Sequence, residues 1–170
     1  MDRSSKIDLP VEEFFGWLPL GAMLLMALND HVLRLRFPGI VTGKLSDLAV
    51  LLFFPSLMTA AFDTVLFLAH HAARVCSGGR LSVPYRLTRW KVAASVVLSG
   101  LILSGINLSP ALHDGLLRAM ARLDVLNLFE GFRYTMDPTD LAALVVLPVS
   151  LWWGLRVVRR QERRRAGEQT

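Results

Sequence analysis

Four apolar runs, separated by charged or breaker-rich segments, dominate the pattern of the chain. Phe14 to Leu28 carries no charge but counts only 15 positions, against about 20 needed to cross roughly 30 Å of hydrocarbon. It must borrow from its flanks, which predicts a first span over about 14–31, with Glu13 snorkelling at one end and Pro19 bending the helix. Residues 30–37 either lengthen that helix or lie along the interface. Pro38-Gly39 breaks the pattern, and Ser46-Asp47 reads as the start signal of a second span, 47–69, with Asp63 the one charge between Leu48 and Ala69. Residues 70–91 hold basic residues with Gly78-Gly79 and Pro84 and read as a loop.

A third span follows at 91–108. Its Ala94, Ser95, Ser99, Gly100, Ser104 and Gly105 allow a neighbouring helix to come close. Ser109-Pro110 then opens an amphipathic segment, 109–132, with Leu112, Leu116, Met120 and Leu123 opposite His113, Asp114, Arg118 and Arg122. It is predicted to lie on the membrane surface. The fourth span is 139–158, with Trp152-Trp153 at headgroup depth, and a basic tail, 159–170, ends the chain. The fold class expected is all-α: one transmembrane domain, an integral membrane four-helix bundle.

Two of the span starts resemble each other. Thr42-Gly-Lys-Leu-Ser-Asp-Leu-Ala-Val-Leu-Leu-Phe-Phe-Pro55 aligns without a gap with a segment ending Asp137-Pro-Thr-Asp-Leu-Ala-Ala-Leu-Val-Val-Leu-Pro148. Ser46 falls on Thr139, Asp47 on Asp140, Ala49 on Ala142 and Pro55 on Pro148. Asp30-His-Val-Leu-Arg34 and Asp114-Gly-Leu-Leu-Arg118 extend the likeness backwards. The unit is a helical hairpin, and two copies with the same orientation are expected.

Composition sharpens this picture. The chain is 53% hydrophobic with mean hydropathy +0.44, more apolar than the roughly 45–50% of soluble domains. Charged Glu12, Glu13, Arg3 and Lys6 ahead of the first run argue for a retained span over a cleaved signal. The net charge of +5 lies between and after apolar runs instead of on one amphipathic face, so nucleic acid is not an expected partner. Thirteen of the 19 lysines and arginines fall in the N-terminal segment, the 70–91 loop and the end of the chain from Arg156 onwards. The excess predicts cytoplasmic N- and C-termini in a bacterial inner membrane, with both motif aspartates facing outward. The tail suits anionic lipid headgroups as well as it suits simple topology fixation. A single cysteine, Cys76, excludes an internal disulfide and any zinc site with two thiolates; no role is expected of it, with reversible acylation near the membrane as the alternative.

The candidate chemistry is acidic. Asp47 and Asp140 are expected at equivalent depths, where they either bind a cation or share a proton, or serve as helix caps beside Ser46, Thr139 and Asp137. Asp30, His31, His113 and Asp114 are candidates to join them in one outward-facing ligand or ion site. No metal-binding spacing accompanies them, so neither a metal nor a cofactor is predicted. Asp63 lies 16 residues beyond Asp47, and Arg156 lies 16 beyond Asp140. The expected outcome is an intramembrane Asp63–Arg156 pair, with a proton relay as the alternative for Asp63. Gly39-Ile-Val-Thr-Gly43-Lys44 fails the phosphate-loop spacing, and no nucleophile elbow or dinucleotide fingerprint occurs.

The run Thr42-Gly-Lys-Leu-Ser-Asp-Leu-Ala49, preceded by Asn29-Asp-His31, resembles a segment of small bacterial membrane proteins and implies no activity. A looser similarity links it to the VanZ-like families, which also open spans with charged and polar signals. No site residue follows from either. The function expected is a non-enzymatic binding or assembly component of a membrane complex, open to self-association. An ion- or proton-coupled transporter is the first alternative, and a membrane enzyme acting on lipid or envelope substrates is the second.

Overall fold

In a computed structural model, residues 13–37, 39–77, 87–123 and 136–168 are described. The polar lead-in, residues 78–86, 124–135 and the last two residues lie outside them, as do the side chains of His70 and Cys76. The described chain is helical, with no strand. Among the described residues, three stretches are long and apolar enough to cross a membrane: Val41–Ala73, Arg89–Leu108 and Pro138–Gly167.

Helix α1, Trp17–Leu28, is built from good helix formers and starts after a tight turn, in which Gly16 N–H donates to Glu13 O at 3.3 Å. Pro19 falls in its first turn, where a missing N–H costs nothing, so no bend is required of it. The helix does not stop at Leu28. It continues through a π turn, Asn29–Leu33, into α2, Arg34–Arg36, so residues 30–36 lengthen the helix. The extra residue of a π turn lets consecutive side chains, Asn29 and Asp30, both reach the next helix.

That helix is α3, Ile40–Ser77, whose 38 residues rise about 57 Å at 1.5 Å each. The 47–69 stretch is its apolar middle. It begins a turn and a half before Ser46, with the Thr42 hydroxyl fastening the start: Oγ1 accepts from Gly39 N at 3.2 Å and donates to Gly39 O at 2.9 Å. Helix α4, Arg89–Leu108, packs against α3, and α5, Pro110–Leu123, folds back on α4. On α4, Ser99 and Gly100 are buried as the small-residue pattern suggests. A β-carbon on Gly100 would stand 2.9 Å from Leu147 Cδ1.

The second motif starts a 3₁₀ helix, Pro138–Val146, which runs directly into α6, Leu147–Glu168. Prolines explain why the two motifs differ in helix type. Pro55 has no N–H, so Leu51 O loses its usual donor inside α3; Ser150 Oγ reaches across from α6 and donates to it at 2.8 Å. Pro148 orphans Leu144 O in the same way, but there the N–H of Leu147, three residues on, takes over the carbonyl. The chain tightens to 3₁₀ instead of borrowing a partner.

The helix α6 passes beyond residue 158, so most of the basic tail is helical. Its inner face packs Trp153, Val157 and Val158 with Leu87 and Val92 into an apolar core cluster. Trp153 is therefore buried; of the predicted headgroup pair only Trp152 faces outward.

Candidate functional site

Polar side chains gather at two places among these helices. The first is where the start of α3 meets the start of the 3₁₀ helix. Asp137 caps the latter: its Oδ1 accepts from Thr139 N at 2.9 Å and from Thr139 Oγ1 at 2.7 Å. Its own N–H donates to Asn107 Oδ1 at the end of α4, at 3.1 Å. Lys44, one turn into α3, reaches over and pairs with Asp137 Oδ2 at 3.0 Å and with Asp140. The Asp47 carboxyl lies beside that of Asp140, within hydrogen-bonding and electrostatic reach. Bonding to Thr139, and secondarily to Lys44, holds the Asp137 carboxyl at about 2, below its ordinary 3.8.

Asn29 ties α1 to the same region. Fully buried, it donates through Nδ2 to Thr42 O at 2.6 Å and lies 2.7 Å from Ser46 Oγ. The Ser46 hydroxyl in turn donates to Asp30 Oδ1 at 2.6 Å. Asn29, at the π turn that follows α1, and Asn107, in the last turn of α4, thus play matching parts, each holding the start of a motif segment.

The second polar centre lies inside the helices, near the starts of α1 and α4. Glu13 is 4% exposed and does not snorkel. Its carboxylate accepts from Ser56 Oγ at 3.2 Å and Thr59 Oγ1 at 2.8 Å, while its backbone carbonyl accepts from Trp153 Nε1 at 3.2 Å. Glycine at 154 makes the room, because a β-carbon there would stand 2.7 Å from Glu13 Oε1. Asp63 pairs with Lys91 Nζ at 2.6 Å, and the ammonium also lies 5.9 Å from the Phe62 ring centre. Asp63 therefore has a partner other than Arg156, which is exposed and stacks over Trp152 at 5.1 Å. The cause is chain direction: the start of α4 delivers Lys91 to the α3 face that carries Asp63, while Arg156 lies on the exposed face of α6.

The expected outward set of six divides accordingly. Asp47 and Asp140 come together around Lys44, and Asp30 joins the neighbouring Asn29–Ser46 network. His31 and Asp114 are exposed on their own helices; on α5 Asp114 and Arg118 of the polar stripe are exposed, whereas His113 is buried and Leu112 faces outward. Among the described residues, no three histidine, cysteine or acidic side chains converge as metal ligands. Ser46 and Asp47 are not caps, because α3 starts at Ile40; the capping role holds for Asp137.

Lys44 is the residue the sequence reading passed over, yet the gapless alignment of the motifs sets it opposite Asp137, a complementary pair at equivalent positions. Lys91 stood in a loop by that reading, and nothing local marks it as the partner of Asp63. No protein family, curated protein or solved structure matches the chain.

Proposed function

We propose that this chain is a polytopic protein of a bacterial cytoplasmic membrane, a four-helix bundle of two related hairpins. It would serve as a non-enzymatic binding or assembly component of a membrane complex. The observation that carries the reading is the Lys44 ammonium set among Asp137, Asp140 and Asp47. A cation-binding or acid–base site needs that space open, whereas here the chain's own cation fills it and fastens one half to the other. Exposed apolar side chains around the helices, among them Leu24, Leu35, Val41, Val65, Leu101 and Val145, offer surface to lipid or to partner helices. His31 and Asp114, exposed on their own helices, are polar groups left for recognition on the proposed outer face.

The test compares wild type with Asp47→Asn/Asp140→Asn in mild detergent, melting each with and without a panel of divalent cations. Asparagine keeps the shape and loses the charge. The expected result is that no cation stabilises wild type selectively; selective stabilisation would replace the assembly reading with an ion site.

A second reading, proton- or ion-coupled transport, draws on the buried Glu13 and Asp63 and the half-buried Lys91, since ionisable groups at such depth commonly mark a conduction path. Flux into proteoliposomes that disappears in Glu13→Gln, with the fold intact, would put that reading first.

A further inference from the structure

The face of α6 opposite its buried side carries Arg156, Arg159, Arg160 and Arg163. Trp152, Leu155, Arg156, Arg159, Arg160 and Arg163 recur at helical spacing and line one cleft of about 450 Å³. Among the described residues, none of Arg159, Arg160 and Arg163 forms an ion pair like those of Lys44, Arg89 and Lys91.

The depth of this cleft follows from its neighbours. Arg89, the first residue of α4, pairs with Glu162 of α6 at 2.9 Å, so residue 162 is level with the end of the apolar α4. The arginines from 156 to 163 therefore stand at the boundary of the apolar layer, not beyond it. Trp152 and Leu155 continue the cleft towards the apolar interior, and Trp17 and Trp90 are exposed near the same end, as interface tryptophans are. Cationic at one end and apolar at the other, the cleft has the polarity of a phospholipid molecule.

We infer that it binds an anionic phospholipid, with the phosphate among Arg156, Arg159, Arg160 and Arg163 and an acyl chain over Trp152 and Leu155. Guanidinium groups suit a phosphate through paired N–H donors. The apolar end favours a lipid over free phosphate. The inference rests on the membrane placement proposed above, which carbonate extraction of membranes tests separately.

The experiment uses the full chain, purified in neutral detergent and stripped of lipid. It is melted with phosphatidylglycerol, phosphatidylcholine or inorganic phosphate at equal concentration, as wild type and as Arg156→Gln/Arg159→Gln/Arg160→Gln/Arg163→Gln. Phosphatidylglycerol alone should raise the wild-type melting temperature, and the variant should bind it about 100-fold more weakly. An equal rise with phosphatidylcholine or with phosphate, or an unchanged response in the variant, overturns the inference. Should the variant fail to fold, a photoactivatable phosphatidylglycerol decides on wild type. Crosslinks within 152–163 are expected, and crosslinks only elsewhere overturn it.

Discussion

A buried charge needs its partner more than its partner needs it, and Asp63 with Lys91 is the sharpest instance here. The Asp63 side chain is 3% exposed, so Lys91→Ala leaves a carboxylate stranded and should cost about 3 kcal/mol or more. Lys91→Met combined with Asp63→Leu should recover most of that loss, while Arg156→Ala should add independently to any change at Asp63. Melting temperatures in detergent of the single variants at Lys91, Asp63 and Arg156 and of their combinations with Asp63 check this; simple additivity of Lys91 and Asp63 would remove the pair.

Asp137 gives a pH signature of the other centre. Its carboxyl stands at about 2 in the folded chain against an ordinary 3.8. A depressed value means that the ionised form is the one folding favours. The stabilisation is therefore complete above about pH 4 and fades as pH falls towards 2. An asparagine side chain can still cap the helix, so Asp137→Asn isolates the charge. Wild type should melt above this variant at pH 6, and the gap should close between pH 4 and 2.

Among the helices, the two prolines show how one motif produces two local structures. Pro55 leaves Leu51 O to be satisfied by Ser150, whereas Pro148 leaves Leu144 O to the tightened 3₁₀ turn. It follows that Ser150→Ala should cost about 1 kcal/mol in the wild-type background. In a Pro55→Ala background, where residue 55 regains its N–H, the same change should cost almost nothing. Equal losses in both backgrounds would show that Ser150 does not serve that carbonyl. The π turn at Asn29–Leu33 is a comparable adjustment, seating Asn29 against α3 at the expense of regular helix.

For the whole molecule, the distribution of basic residues predicts one orientation, with both ends of the chain on the cytoplasmic side. Reporter fusions at either end should be active only in the cytoplasm, and an active periplasmic fusion at one of them would reverse the placement of that end. Much of the architecture was legible along the chain, because crossing hydrocarbon demands long apolar runs and helix starts demand recognisable residues. The all-helical character, the apolar stretches, the Asp137 cap, the small-residue face of α4 and the special standing of Asp47, Asp63 and Asp140 are all of this local kind. Which charges meet is not. Lys44 with Asp140, Lys91 with Asp63, and Glu13 with Ser56 and Thr59 are separated by tens of residues, and their pairing depends on how helices rotate and slide against one another. Those rotations are set by side chains packing across helices, such as Trp153 over Gly16 and Leu147 against Gly100, and periodicity within one segment carries no information about them.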